Sequence, residues 1–372
     1  MIARRVAPVL RAERRWLFVT LHKKVLDESG VDGKIPRPST RPRHPNARSR
    51  DPARPNLLAY MQLVIRDLSK TYPNGTQALR NVSLDIPQGM FGLLGRNGAG
   101  KSTLMRIIAT LQEADEGSIT LGPSVHPGQA VPSAPPGLDV LRQKDEVRKT
   151  LGYLPQSFGF HPRVSAERLL DHFAVLKGLI EPGVRRDVVE SLLRRTNLWD
   201  VRRHRVGTFS GGMRQRLGVA VALLGSPKLI IVDEPTAGLD PEERVRFLNL
   251  LSEIGEESAV ILSTHIVEDV EELCNHLAII DRGEILLADE PTRAIEQLRG
   301  RIWRRTVSRD ELPVLEQQLR VISTKLLAGR TIAHVYADAA PGAGFEAVEP
   351  DMKDVYFSVM ARHHGRKAES VS

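Results

Sequence analysis

One stretch of this 372-residue chain constrains its fold more than any other: Gly95-Arg96-Asn97-Gly98-Ala99-Gly100-Lys101-Ser102-Thr103. Its glycine and lysine spacing, G-x-x-x-x-G-K-[ST], is typical of a loop that wraps a phosphate between a strand and a helix. Residues 90–94 form an apolar run that predicts a short buried strand before the loop. Apolar residues at 104, 107, 108 and 111 predict an amphipathic helix that begins at Lys101.

The loop has the chemistry of an anion site. Glycines let the backbone curl so that successive N–H groups converge on a phosphate, and the positive end of the helix dipole faces the same point. Lys101 adds a cation for the β- and γ-phosphates, and the Ser102 hydroxyl is placed to bind Mg²⁺. A glycine-rich turn that matches by chance is the competing interpretation, but the flanking strand and helix argue against it. The stretch therefore predicts binding of a nucleoside triphosphate.

The net charge of +8 is concentrated at the start of the chain. Residues 1–60 hold 14 Lys and Arg against 5 Asp and Glu, whereas the rest of the chain carries a net charge of −1. Because a nucleic-acid-binding domain needs a basic face on its folded body, this distribution does not favour a nucleic-acid partner. The single cysteine, Cys274, excludes an intrachain disulfide and lies in an apolar pattern that predicts a packed thiol.

The basic leader, residues 1–60, is rich in Pro and Arg and cannot bury a core, so it is predicted to be disordered. Three interpretations of it compete, namely a membrane-surface anchor, a nucleic-acid tail and a non-structural leader, and the last is favoured. Met61 opens the first well-patterned strand and is a candidate translation start. No stretch approaches the roughly 18–20 apolar residues that a membrane span needs, so the chain is not expected to cross a bilayer by itself.

The pattern on either side of the loop predicts an α/β arrangement. Residues 61–86 predict antiparallel strands, and residues 117–121 predict a further strand. A proline-rich surface insertion is expected at 122–136, and a helical pattern runs throughout 165–205.

Two later strands are predicted to carry polar groups at their carboxyl ends. The apolar run at 229–232 indicates a buried parallel strand that ends in Asp233 and Glu234. The run at 259–263 indicates another buried strand that leads to His265. Ligands of open α/β sheets bind at such carboxyl ends, so these side chains are candidates for the site.

Two further positions suit a nucleotide. Tyr72 lies shortly before the loop and could stack on adenine, a contact worth about 1–3 kcal/mol. Ser210 is predicted to cap a helix, and Gly211 and Gly212 behind it leave N–H groups open for a second phosphate contact.

Taken in this order, the features resemble the ATP-binding-cassette (ABC) ATPases over residues 61–298. The motifs that carry the resemblance are the P-loop at 95–103, Gln156 at the Q-loop, the signature at 209–213, the Walker B strand at 229–234, the D-loop at 237–240, the switch histidine His265 and the adenine-stacking aromatic Tyr72.

The signature departs from the usual L-S-G-G-Q, because Phe209 replaces the leucine and Met213 the glutamine. Ser210, Gly211 and Gly212, which would touch phosphate, are intact. Hydrolysis is therefore expected to survive, with somewhat altered kinetics at most.

The resemblance implies a role for each site residue. Glu234 would polarise the attacking water as general base, His265 would hydrogen-bond the γ-phosphate, and Lys101 and Gln156 would complete the catalytic group. Ser102 and Gln156 would bind Mg²⁺ directly, and Asp233 would hold a coordinated water. The residues implied to bind ATP are Tyr72, Gly95, Arg96, Asn97, Gly98, Ala99, Gly100, Lys101, Ser102 and Thr103, together with Ser210, Gly211, Gly212 and Asp240 of a second copy.

The implied fold is the P-loop NTPase core of ABC ATPases, an α/β fold in which a mixed sheet carries an antiparallel β subdomain and an α-helical insert at about 160–225. The ATP-binding domain is expected at 61–300. Residues 301–372 are expected to form a small C-terminal α/β appendage, whose end at 344–356 resembles the tail of exporter-type cassettes.

The resemblance also implies the function of an ATP-hydrolysing subunit. Two copies would sandwich ATP as a homodimer and drive a separately encoded permease, in export, from the cytoplasmic face of the cell membrane. The permease would associate with the Q-loop region at 156–162 and the helical insert, where Phe158, Phe160, Phe173 and Leu176 are candidate contacts. The alternatives are a soluble cassette protein that acts on ribosomes or DNA, and a regulatory module without turnover. The latter conflicts with the presence of Glu234 and His265.

Overall fold

The computed structural model of the protein describes residues 61–123, 137–157, 159–236 and 238–369, with side chains through His363. The predictions made for the leader at 1–60, for the insertion over 124–136, for Phe158 and for Ala237 lie outside these residues. Within the described ranges, no helix combines the length and the apolar run that a membrane crossing requires.

A six-stranded sheet forms the centre of the molecule. Its strands are apolar because both faces are covered: Ile230 and Val232 enter the hydrophobic cluster on one face, and Ile231 the cluster on the other. The spatial order is β10 (Glu284–Asp289), β9 (His276–Asp281), β3 (Gly89–Leu94), β8 (Ala259–Thr264), β7 (Leu229–Asp233) and β6 (Leu151–Leu154), with β10 antiparallel to β9 and the other neighbours parallel.

A four-stranded antiparallel sheet shares the second cluster with the helix that follows the P-loop. In its strand Met61–Thr71, the alternate residues Leu63 and Ile65 are buried against this cluster, and this alternation produces the predicted half-buried pattern over 61–86. The sheet comprises, in spatial order, β2 (Gln77–Ile86), β1 (Met61–Thr71), β4 (Glu116–Pro123) and β5 (Leu138–Asp139).

The boundary of the proline-rich insertion is corrected by this sheet. Gly122 and Pro123, predicted to lie in the insertion at 122–136, are the last residues of β4 and pair with Gln62 and Met61 of β1. Pro123 is tolerated there because a strand end does not require its missing N–H.

The helices cover both faces of the central sheet. The first begins at Lys101, as the apolar spacing predicts. They are α1 (Lys101–Ile108), α2 (Lys144–Thr150), α3 (Ala166–Leu176), α4 (Pro182–Arg195), α5 (Gly211–Ala222), α6 (Pro241–Gly255), α7 (Val267–Leu273) and α8 (Pro291–Glu296). Cys274 is buried directly after α7, and burial raises the pKa of its thiol to about 12, which confirms the packed thiol.

Less of the insert is helical than predicted. The pattern over 165–205 forms α3 and α4, but the chain then turns instead of continuing as helix. Thr196 ends α4 with its hydroxyl bonded to the Leu192 carbonyl, and Asn197 adopts a φ of 52°, which no helix residue can keep.

The C-terminal region has the α/β elements expected of the appendage. Its antiparallel sheet has the spatial order β12 (Arg320–Leu327), β13 (Arg330–Tyr336), β11 (Ile302–Val307) and β14 (Glu346–Ala347), and its helices are α9 (Leu312–Gln318) and α10 (Met352–Glu369). Met352 and Val355 of α10 join the hydrophobic cluster of the central sheet, and Lys353 forms an ion pair of 2.6 Å with Glu268 of α7. Helix α10 therefore ties this region to the cassette.

A pH dependence of stability follows from one contact of α10. His334 Nδ1 lies 2.8 Å from the buried Asp354 carboxylate, and this hydrogen bond raises the pKa of His334. Because the folded state binds the proton more tightly than the unfolded state, the stabilisation is present below the ordinary histidine pKa and is lost as pH rises through the raised value. The free energy of urea unfolding should therefore fall as pH rises above the ordinary histidine pKa of 6.5, and His334→Gln should reduce that fall. His204→Gln, at an exposed histidine, is the control; an equal pH dependence in all three proteins would contradict the assignment.

Candidate nucleotide-binding site

The P-loop closes over the end of the central sheet. Gly100 has a φ of 112° and begins α1, and a Cβ at this position would lie 2.6 Å from the Ala78 carbonyl oxygen. Only glycine fits there without strain. Gly95 N–H donates to the Thr264 carbonyl at 3.3 Å, so the loop is anchored on β8. The first-turn N–H groups of α1 have no partner within the helix and are available to an anion.

Lys101 links the loop to Glu234. Its Nζ donates to the carbonyl oxygens of Gly95 at 2.7 Å and Arg96 at 3.2 Å, and it lies 3.2 Å from Glu234 Oε1. The lysine side chain is only 4% exposed. The ammonium group therefore lies where the loop meets the carboxyl end of β7.

Asp233 forms an oxygen-rich pair with Ser102 beside this lysine. Its carboxylate accepts hydrogen bonds from Ser263 Oγ at 2.8 Å and from the Ser102 hydroxyl. Burial raises the pKa of Asp233, whereas the two hydroxyl bonds lower it. A carboxylate and a hydroxyl so placed are hard oxygen donors of the kind that Mg²⁺ prefers.

Three side chains converge on Glu234. Besides Lys101 on Oε1, Gln156 Nε2 donates to Oε2 at 3.1 Å, and His265 Nδ1 lies 3.5 Å from the same oxygen. Glu234 itself has a φ of 47°, and its N–H donates to the Ser263 carbonyl at 2.9 Å. A left-handed glutamate costs on the order of 1–3 kcal/mol and is typical of functional sites. The structure thus brings the predicted catalytic residues Lys101, Gln156, Glu234 and His265 together.

The signature, residues 209–213, leads into α5 and lies apart from the cluster around Lys101 and Glu234. Ser210 caps the helix as predicted, because its Oγ accepts from Met213 N–H at 3.1 Å, and Ser210 and Gly211 are exposed. Gly212 is buried under Glu243 of α6, and a Cβ there would overlap that carboxylate. Phe209 is buried in the core, which explains why an aromatic can replace the usual leucine.

Tyr72 lies on the side of the P-loop, whereas Asp240 lies on the side of the signature. The Tyr72 hydroxyl is 3.0 Å from Thr103 Oγ1 and donates to Gln112 Oε1 at 3.3 Å, so the ring lies beside the P-loop helix. Asp240 caps α6 by accepting from Glu243 N–H at 2.9 Å. Among the described residues, neither Asp240 nor Ser210 bonds to Lys101 or Glu234. The candidate site therefore has two separate halves.

Sequence reasoning missed one buried carboxylate. Asp269 of α7 is fully buried and accepts from Thr236 Oγ1 at 2.7 Å, from Thr264 Oγ1 at 3.3 Å and from Arg244 at 2.6 and 2.9 Å. Thr236 follows Glu234, and Thr264 precedes His265. The available signal was helical phase, which places Asp269 on the stripe of Val270 and Leu273 rather than in solvent. Asp269 is thus a positioning residue between the loops that carry Glu234 and His265.

Asp269→Asn should therefore lower kcat for ATP hydrolysis by about tenfold, because it weakens the bonds that set the Glu234–His265 distance, while KM for ATP changes little. Steady-state kinetics, with a melting curve of each variant, provides the measurement. Glu272→Gln, at an exposed carboxylate of the same helix, is the matched control. A fall in thermal stability with an unchanged kcat would show that Asp269 is structural only.

Comparisons with known proteins agree with this geometry. A family model described as ABC transporter matches residues 79–237. The chain is 31% identical to the linearmycin resistance ATP-binding protein LnrL of Bacillus subtilis (strain 168), over 64% of this chain and 72% of that protein. It is 37% identical to the ABC transporter ATP-binding protein NatA of the same organism, over 56% of this chain and 80% of that protein.

A solved structure described as the ATP binding subunit of an ABC transporter covers 68% of this chain and 98% of its own, with a TM-score of 0.54 and 29% identity. The fold predicted from the sequence, an ABC ATPase core with an antiparallel subdomain and a helical insert, is thereby confirmed. By fold and by sequence, this chain belongs to the ATP-binding proteins of the ABC transporter family, which bind and hydrolyse ATP.

Proposed function

We propose that this protein is the subunit that drives a separately encoded permease by ATP hydrolysis, with Glu234 as the general base. The observation that carries the proposal is the convergence of Lys101, Gln156 and His265 on the Glu234 carboxylate. A general base must be oriented by its neighbours and must lie in space beside the phosphate-binding loop. Glu234 meets both requirements, since it follows β7 directly and contacts the P-loop lysine.

The oxygen donors beside Glu234 fit Mg²⁺. Ser102 would bind the ion through its hydroxyl, Gln156 through its amide oxygen, and Asp233 through a water. The bound ion would neutralise charge on the β- and γ-phosphates. Tyr72, beside the P-loop helix, would stack on the adenine, and the backbone from Gly95 to Thr103 would enclose the phosphates.

Each side chain of the cluster would then have a separate role in hydrolysis. Lys101 would move its ammonium from the carbonyl oxygens of the loop toward the phosphates, and His265 would donate a hydrogen bond to the γ-phosphate. Glu234, released from Lys101, would accept a proton from the attacking water. Gln156 lies in the segment that follows β6 and contacts this base, so a displacement of that segment would alter the base.

The exposed signature supports a homodimer. Ser210, Gly211 and Asp240 are exposed and make their bonds within α5 and α6, away from the Lys101 cluster. Backbone N–H groups at the start of α5 would bind the γ-phosphate held by the P-loop of a second copy. Two copies arranged head to tail would complete two sites.

The proposals for a permease partner and for the direction of transport have less specific support than the catalytic residues. LnrL is named for resistance to linearmycin, which favours export. Phe160 and Phe173 meet edge to face at 6.3 Å, and both, like Leu176, are half-buried, so they remain candidates for the permease contact. We place the protein on the cytoplasmic face of the cell membrane through that permease, with the ATP-binding domain at 61–300 and the accessory region at 301–372.

Glu234→Gln should retain ATP binding but lower hydrolysis by at least about 100-fold, because the amide cannot accept the water proton. With hydrolysis blocked, ATP should trap a dimer. Phosphate release and size-exclusion chromatography with and without ATP measure the two effects. Glu256→Gln, at an exposed residue after α6, is the control. Undiminished hydrolysis in Glu234→Gln would remove Glu234 as the base.

Co-expression with polytopic membrane proteins from neighbouring reading frames tests the permease. One of them should retain this protein in detergent and should raise its ATPase rate, because association would act on the Gln156 segment. Glu234→Gln should be retained equally but should show no stimulation. Failure of every such membrane protein to retain the wild type would overturn the transport proposal and leave the ATPase assignment intact.

A further inference from the structure

A cavity of about 520 Å³ lies in the helical insert, away from the P-loop cluster. Two chain segments form its walls, one that leads into the first turn of α3 and one that precedes the signature. We call it the arginine pocket, and it is lined by Arg163, Val164, Ser165, Glu167, Arg168, Arg203 and Arg205.

The arginine pocket carries uncompensated positive charge. Its four arginine side chains are exposed, and none forms an ion pair with a carboxylate in the part of the chain that the structure describes. Glu167, the one acid of the lining, lies 3.9 Å from Arg202 Nε outside the lining. Clustered like charges repel each other, and an anion bound among them relieves that repulsion. The charge pattern therefore indicates an anionic ligand.

The walls of the pocket are held in register by the backbone. Gly207 N–H donates to the Pro162 carbonyl at 2.9 Å, and Val206 N–H to the Val164 carbonyl at 2.9 Å. Ser165 and Arg205 form an isolated antiparallel bridge. The guanidinium groups therefore project from a fixed frame, which reduces the entropy lost when a ligand binds.

The same frame leads to the signature. Phe209 N–H donates to the Val206 carbonyl at 3.1 Å, and Ser210 follows directly. On the other wall, Arg163 lies seven residues after Gln156. The pocket thus lies between the two segments that, in the proposed function, respond to the permease and to the second copy.

We propose that the arginine pocket binds carboxylate side chains of an acidic segment of the permease. This inference rests on the proposed function, because it assigns a chemistry to the permease contact. Arginine is the residue that best matches a carboxylate, through two parallel N–H···O bonds in a planar fork.

The shape of the site favours a protein segment over other anions. A cavity between two walls admits inserted side chains, whereas a nucleic acid or a membrane surface requires an extended basic face. The lining holds four arginines and one glutamate within a single cavity, which is a compact patch rather than an extended face.

The first test uses a labelled helical peptide of about 15 residues with glutamates on one face, and a second peptide with glutamines in their place. At low salt the glutamate peptide should bind the wild-type protein at least about tenfold more tightly in fluorescence anisotropy, and salt should weaken this binding. Arg163→Glu with Arg205→Glu, one on each wall, should remove that preference.

Arg186→Glu is the matched control, because Arg186 is an exposed arginine of α4 outside the pocket. This variant should keep the preference for the glutamate peptide. Equal binding of both peptides by the wild type, or an equal loss in the control, would overturn the proposal. Binding of phosphatidylglycerol vesicles or single-stranded RNA that is lost in the double variant, without binding of the glutamate peptide, would assign the pocket to lipid or nucleic acid instead.

The second test uses the permease that retains the wild-type protein. The double variant should lose at least about tenfold in retention, whereas Arg186→Glu should not. Circular dichroism and ATP affinity establish that each variant is folded. Retention of the double variant at the wild-type level would overturn the pocket assignment alone, whereas the absence of any permease that retains the wild type would overturn the proposed function.

Discussion

The parallel pairing of β3, β8 and β7 determines where the P-loop, His265 and Glu234 lie. Leu94 pairs with Thr264, and Asp233 pairs with Ser263, so the three strands end at the same edge of the sheet. The P-loop leaves the first of these ends, His265 the second and Glu234 the third. Because both faces of the sheet are packed, a slip of one residue would move every side chain of a strand into the opposite cluster and would displace the site residues as well.

Two features of this edge have costs that the surrounding structure offsets. Glu234 is held at a φ of 47° by a backbone bond to β8, and Asp269 is a fully buried carboxylate. A buried charge is tolerated when it is paired and hydrogen-bonded, and Arg244 with the hydroxyls of Thr236 and Thr264 supplies those partners to Asp269. The two loops of the site therefore share one anchor.

The sequence was sufficient for the residues whose chemistry is local. The P-loop, Asp233 and Glu234 are recognisable because glycine spacing and a strand that ends in acids are patterns of adjacent residues. The same holds for the cap at Ser210. Predictions failed where contacts between distant residues determine the local structure. Gly122 and Pro123 belong to a strand because β1 pairs with them. Helix α4 ends at Thr196 although the apolar periodicity of the sequence continues. The arginine pocket was missed because its walls are about 40 residues apart and meet only through tertiary structure.

The close contact between Gly212 and Glu243 has a consequence for assembly. Ser210 and Asp240 begin the two helices that meet at this contact, and Arg216 pairs with the same Glu243 carboxylate. With no side chain at position 212, the start of α5 packs directly against Glu243 of α6. In the proposed homodimer, Ser210 and Asp240 would therefore approach a second copy together, because the two helices that they begin are in direct contact.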